Sequence, residues 1–127
     1  MLSVILACDD PLETAGLFTD LLGWNLVFAS PPDAEDRLAC VELGGAQVML
    51  GTAEPEFLPD AARPYRGAGA EVYIRLPPDL DIDAIHTRHV DAGVVTRELE
   101  RREWGEWVFQ ARIEGYRFMI AQEPAAS

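Results

Sequence analysis

At 127 residues, 49% hydrophobic and 25% charged, the chain has the length of one domain and the composition of an ordinary soluble globular protein, not of a disordered one. Twenty-two acidic residues against ten basic ones give a net charge of -12, which repels nucleic acid and draws in a cationic ligand. No run is long and apolar enough to span a membrane. Cys8 and Cys40 lack metal or disulfide spacing and read as small buried hydrophobes of a reducing, cytoplasmic compartment.

Leu2 to Cys8 reads as a strand. Asp9-Asp10-Pro11 is a helix start, with an Asp cap, Pro at the first helical position and Glu13 in the first turn. The helix runs from about Leu12 to Leu22, buries Leu12, Ala15, Phe18 and Leu22 on one stripe, and ends at Gly23. Trp24 to Ala29 is a second strand, closed off by the loop Ser30-Pro31-Pro32-Asp33. Arg37 to Leu43 is a third; Gly44-Gly45 turns the chain back, and Ala46 to Gly51 is the fourth. Residues 52–69 carry three prolines and two lone aromatics, Phe57 and Tyr65, and read as a connector.

The same order then repeats. A strand spans Ala70 to Leu76, the loop Pro77-Pro78-Asp79 follows, and a helix runs from about Ile82 to Ala92 before Gly93. Strands follow at Val94 to Leu99, Glu106 to Ile113 and Tyr116 to Gln122, the last two joined at Glu114-Gly115. In the closing pair, Trp107, Phe109, Ala111 and Ile113 alternate with Val108, Gln110 and Arg112. The pattern of Gly45 followed by Met49-Leu50 matches Gly115 followed by Met119-Ile120, so the chain is written twice as β-α-β-β-β. The expected organisation is a single α+β domain over 1–127, with module 1 about 1–52, connector 53–69 and module 2 about 70–123.

Superposing the halves by pattern separates two sheet faces. Val4, Leu6, Val48, Leu50, Val72, Ile74, Leu76, Phe118 and Ile120 form an apolar set suited to lie under a helix. The opposite set is mixed: Ser3, Ile5, Ala7, Gln47, Met49, Glu71, Tyr73, Arg75, Arg117 and Met119. Such a face suits a binding cleft better than a dry core.

The segments DDPLETAGLFTDLLGWNLVF, GGAQVMLG, DIDAIHTRHVDAG and EWGEWVFQARIEGYRFMI, in that order and spacing, resemble the vicinal oxygen chelate superfamily. This group holds glyoxalase I, extradiol dioxygenases, fosfomycin-resistance enzymes and bleomycin-resistance proteins. The resemblance covers nearly the whole chain and implies two βαβββ modules in tandem, whose curled sheets form a cleft, and a homodimer. Metal enzymes of the group place ligands at positions that match Ser3, Met49, Glu71 and Met119, and of these only Glu71 suits a hard divalent ion. The resemblance therefore points to the metal-free, bleomycin-resistance-like branch, with no cofactor. The closing turn departs from the group's Asp-Pro-x-Gly-Asn pattern: Gly115 is kept, and the Asp and Asn are not.

His86 and His89 sit three apart on the second helix and read as a solvated or half-buried face. The expected ligand-binding residues are Ser3, Ile5, Met49, Glu71, Tyr73, Arg75, Trp104, Trp107, Arg117 and Met119. Trp104 and Trp107 are stacking platforms or, alternatively, core or dimer-interface residues. The leading functional expectation is a protein that sequesters a bulky aromatic or cationic small molecule, such as an antibiotic. The alternative is a glyoxalase-like lyase or isomerase with a non-standard metal set or with Glu71 as acid and base.

Overall fold

Each half folds as the strand-helix-three-strand unit that the sequence spells twice, in a computed structural model that describes residues 2–125. The chain divides into two units, one up to Arg66 and one from Gly67 onward. In the first, β1 (Val4–Cys8) leads into α1 (Pro11–Gly16), followed by β2 (Asn25–Ala29), β3 (Leu38–Leu43) and β4 (Ala46–Thr52). The sheet order is β1-β4-β3-β2, with β1 parallel to β4 and the other pairs antiparallel.

The second unit repeats the plan with β5 (Glu71–Arg75), α2 (Ile82–Asp91), β6 (Val95–Arg101), β7 (Trp107–Ile113) and β8 (Tyr116–Gln122). Its order is β5-β8-β7-β6, and β5 is the parallel strand. Every strand expected from the sequence is present with ends within two residues of those expected.

Caps and turns place the elements. Asp10 accepts from the backbone N–H groups of Leu12 and Glu13, each at 3.2 Å, so the first orphan donors of α1 are satisfied. The expected single helix to Leu22 is not one regular helix. Residues Leu17–Leu21 widen into a π-helical segment, in which the Leu22 N–H donates to the Leu17 carbonyl at 3.3 Å. Leu12 is only partly buried, whereas Ala15, Phe18 and Leu22 are buried as expected. Asp81 caps α2 by accepting from Asp83 N–H at 3.0 Å, and Gly93 ends it with a φ of 75°.

Glu114 (φ 52°) and Gly115 (φ 86°) both take positive φ, as a two-residue type I′ hairpin turn requires. That short turn keeps the β7–β8 register unbroken from Trp107↔Gln122 to Ile113↔Tyr116. The loss of the Asp and Asn from the turn therefore leaves Arg117 and Met119 on the face the sequence assigns them, opposite Glu71 and Tyr73 of β5.

The segment read as a connector packs largely on the first unit. Ala53 and Leu58 bury against Ala7, with Ala62 beside them, and Asp60–Tyr65 forms a 3₁₀ segment. Arg63 and Arg66 both donate to Asp9, and these donations, Arg63's first, hold its carboxyl below the usual aspartate range.

In the second unit the two sheet faces separate largely as the alternation demands, whereas in the first Leu6, Ala7 and Cys8, and Ala39, Cys40 and Val41, are buried in succession on both faces. In the second unit Ile74, Phe109, Phe118 and Ile120 are buried, and Phe109 meets the rings of His86 (5.1 Å) and His89 (5.3 Å) from α2. The His89 ring is fully buried, and burial depresses its basicity, although Nδ1 lies 2.7 Å from the Ile85 carbonyl, a contact that acts the other way. His86 instead reaches Glu98 at 2.7 Å. His89 is therefore a core residue against Phe109 rather than part of the solvated or half-buried face expected, while His86 is half-buried beside Glu98 of β6. Cys8 and Cys40 are both buried, and burial pushes the Cys40 thiol up. Among the described residues, no helix is long and apolar enough to cross a membrane.

Candidate functional site

On β5 the side chains of Glu71, Tyr73 and Arg75 share one face by alternation, and the register adds Arg117 and Met119 from β8 and Gln110 and Arg112 from β7. This is the face turned away from α2. Five of the expected ligand-binding residues, Glu71, Tyr73, Arg75, Arg117 and Met119, therefore stand together in the second unit. Ile5 and Met49 are register partners on the corresponding face of the first unit, and Ser3 is exposed just before β1.

Trp107 is not brought to this face. It shares its parity with Phe109, Ala111 and Ile113, and it lines a smaller pocket of about 220 Å³ with Ile82 and Asp83 of α2. The reason is the strand alternation itself: a residue two before a core phenylalanine faces the core side. Trp104 lies outside the strands, in the loop between β6 and β7. That loop is closed by two backbone bonds, Arg102 N–H to the Glu106 carbonyl at 2.8 Å and Gly105 N–H to the Arg102 carbonyl at 2.9 Å. Gly105 takes a φ of 103°, a conformation that side-chain-bearing residues rarely adopt.

The organising group of the face is one that sequence reasoning missed. Glu106 is buried, at 6% exposure. Its Oε1 accepts from the Tyr73 hydroxyl at 2.5 Å and from the Trp104 indole Nε1 at 2.8 Å, and its Oε2 accepts from Arg75 Nε at 2.8 Å. Burial alone would raise this carboxyl, but the three donors together hold it below the usual glutamate range. Burial, and then the bond to Glu106, push the Tyr73 hydroxyl up, so it stays a protonated donor. The aromatic rings remain about half exposed, 47% for Tyr73 and 52% for Trp104. The guanidinium of Arg102 lies 5.5 Å from the Trp104 ring centroid, a cation-π arrangement.

A second relay crosses the same face. Arg102, itself largely buried, donates through Nη2 to Gln110 Oε1 at 3.2 Å, and Gln110 Nε2 donates to Glu71 Oε2 at 2.7 Å. Arg117 stands 3.5 Å from the same Glu71 oxygen. Glu71 is thus held by an amide and an arginine.

The metal positions of the fold can be tested on their donor chemistry. Ser3 offers a neutral hydroxyl, Met49 and Met119 offer thioethers, and the Glu71 carboxylate is engaged by Gln110 and Arg117. One already paired carboxylate with two soft sulfurs does not fit a hard divalent ion. Among the described residues, no three His, Cys, Asp or Glu side chains converge as a metal site would need.

With this geometry in place, the architecture is that of the glyoxalase/bleomycin resistance protein/dioxygenase class, an α+β fold of tandem βαβββ modules, as the sequence resemblance implies. Among individual solved structures, the chain is similar to TioX from Micromonospora sp. ML1, at 22% identity, a TM-score of 0.73, and coverage of 100% of this chain and 98% of that one. It is similar also to a bleomycin resistance determinant encoded on the transposon Tn5, at 13% identity, a TM-score of 0.68, and 98% coverage of both chains. A mutant of the fosfomycin resistance protein FosX from Listeria monocytogenes, in complex with Mn(II) and a dihydroxypropylphosphonic acid, matches at 11% identity and a TM-score of 0.67 over 98% of this chain and 92% of that one. No protein-family model matches the sequence, and no curated protein matches it.

Proposed function

We propose that the protein binds a small aromatic compound on the polar face of its second module and acts by capture rather than conversion. The observation that carries this reading is the tether on Glu106. Tyr73 and Trp104 each give their one polar hydrogen to the same buried oxygen, which leaves their half-exposed ring faces for another ring. Met119, beside Tyr73 in the register, adds an adaptable apolar contact. The resistance proteins of the same fold make a bulky antibiotic the first ligand class to test. A homodimer in the cytoplasm completes the proposal, and two isolated cysteines, Cys8 and Cys40, both buried, suit a reducing compartment.

The experiment is a titration of tryptophan fluorescence with a bleomycin-type glycopeptide and with an intercalating antibiotic. Trp24 is buried edge-on against Phe18, at a centroid distance of 4.7 Å, and serves as an unresponsive background. Saturable quenching that disappears in Trp104→Phe supports the reading. No change at micromolar protein for any aromatic compound refutes it.

The alternative, a glyoxalase-like enzyme with Glu71 as acid and base, meets a specific obstacle in the Gln110 and Arg117 contacts that occupy that carboxylate. A stoichiometric divalent metal in the purified protein would favour it over capture.

A further inference from the structure

At the end of the second sheet where β5, β6 and β8 finish and β7 begins lies a pocket of about 430 Å³, lined by Arg75, Arg101, Trp104, Glu106, Glu123 and Pro124. We infer that it takes a planar aromatic compound bearing one anionic group, such as a carboxylate. This rests on the reading of the protein as a binder of aromatic compounds, and it names the ligand's chemistry. The volume lies within the range of small-molecule sites.

The sign of the ligand follows from which hydrogen-bonding groups are already used. Glu106 is buried and accepts three bonds, so it has little left for a cation. Glu123 is 70% exposed and stands 3.7 Å from Arg75, which competes for it. The donors are less committed. Arg101 gives Nε to the Gly105 carbonyl at 3.3 Å, and among the described residues no carboxylate lies within ion-pair distance of it. Arg75 is 56% exposed and carries Nη hydrogens beyond the Nε bond to Glu106. An incoming carboxylate therefore meets guanidinium donors, whereas an incoming ammonium meets occupied acceptors.

Charge is divided unevenly along the chain. Seven of the ten arginines lie from residue 67 onward, against eleven acidic residues in each half, so the second unit carries -4 and the first -8. Two thirds of the net negative charge thus belongs to the first unit.

The duplication supplies an internal comparison. By register Ala7 is the counterpart of Arg75, and Ala53 that of Glu123. In the first unit this place is filled by the chain itself, with Ala53 and Leu58 buried against Ala7. The module can therefore close this end with apolar side chains, and the second unit keeps it open and lines it with arginine and indole.

The test is calorimetry on the full chain with three probes that share one ring system: 2-naphthoate, 2-naphthylmethanol and 2-naphthylmethylammonium. The expected result is that naphthoate binds at least about tenfold tighter than the ammonium, and that Arg101→Met weakens naphthoate by about tenfold while leaving the neutral alcohol unchanged. Far-ultraviolet circular dichroism checks that this variant folds. Tighter binding of the ammonium, or indifference of naphthoate to Arg101→Met, overturns the anionic assignment and leaves aromatic capture standing. Binding of none of the three overturns both.

Discussion

Replacing Glu106 by glutamine keeps the shape of the side chain and removes its charge, which isolates what the carboxylate contributes. Glutamine has one acceptor oxygen. Facing Tyr73 and Trp104, it serves both of their donors, and its NH₂ then opposes Arg75 Nε donor to donor. Hydrogen bonds to charged groups contribute about 1.5–3 kcal/mol and neutral ones about 0.5–1.5, so two bonds weaken by about 1 kcal/mol each. The Arg75 bond is lost as well, but solvent screens that half-exposed guanidinium, so it is left out of the sum. The sum is about 2 kcal/mol at neutral pH, or a fall in Tm of roughly 8 °C for a chain of this size.

The pH dependence gives an independent check. The folded carboxyl is held below its unfolded value near 4.3, so its stabilisation is complete above that value and is lost as pH falls through the folded value. Glu106→Gln removes this component. Urea and thermal unfolding of both proteins between neutral and acid pH measure it. A variant within about 0.5 kcal/mol of the parent at neutral pH, with an unchanged acid slope, refutes the argument that the charge holds the cage.

Three further outcomes are expected. Glu114→Asn, at the left-handed turn position, raises stability by about 0.5–1 kcal/mol in urea unfolding, because asparagine adopts that conformation at lower cost than glutamate. Gly67→Ala lowers it by about 2 kcal/mol or more: φ is 79°, and the new Cβ would sit 2.6 Å from the Gly115 carbonyl oxygen, backbone that must shift. His89→Phe flattens the stability profile below neutral pH. The buried imidazole is harder to protonate folded than unfolded, so the parent loses stability as pH falls below about 6.5, and a phenyl ring against Phe109 does not titrate.

The fold was legible because it rests on local signals that occur twice. The Gly45 and Gly115 turns, the Asp caps and the period-two alternation each fix an element without long-range knowledge, and the two copies check one another. The mixed face was legible for the same reason, since parity carries Glu71, Tyr73 and Arg75 together. Trp107 shows the limit. Its parity with Phe109 and Ala111 was in the sequence, which left it a stacking platform or a core or interface residue, and in the fold it stands on the α2 side of β7. Glu106 was illegible as an anchor because its partners Tyr73 and Arg75 lie over 30 residues earlier, on a strand not adjacent to β7, the strand that Glu106 leads into. The one available signal was that Glu106 shares the parity of Gln110. The π-helical widening at Leu17–Leu21 and the docking of the connector against Ala7 depend on tertiary packing, which overrides local propensity.

The shared oxygen of Glu106 also sets when conformational freedom is lost. Immobilising a flexible side chain on binding costs about 0.5–1.5 kcal/mol. Tyr73 and Trp104 incur that loss during folding, when their hydroxyl and indole N–H take the same acceptor. A ring that settles on them finds two partners already still, so its binding entropy reflects water and the ligand far more than the protein. Release Glu106, and the missing affinity returns as an entropic penalty, with the contacts themselves unchanged.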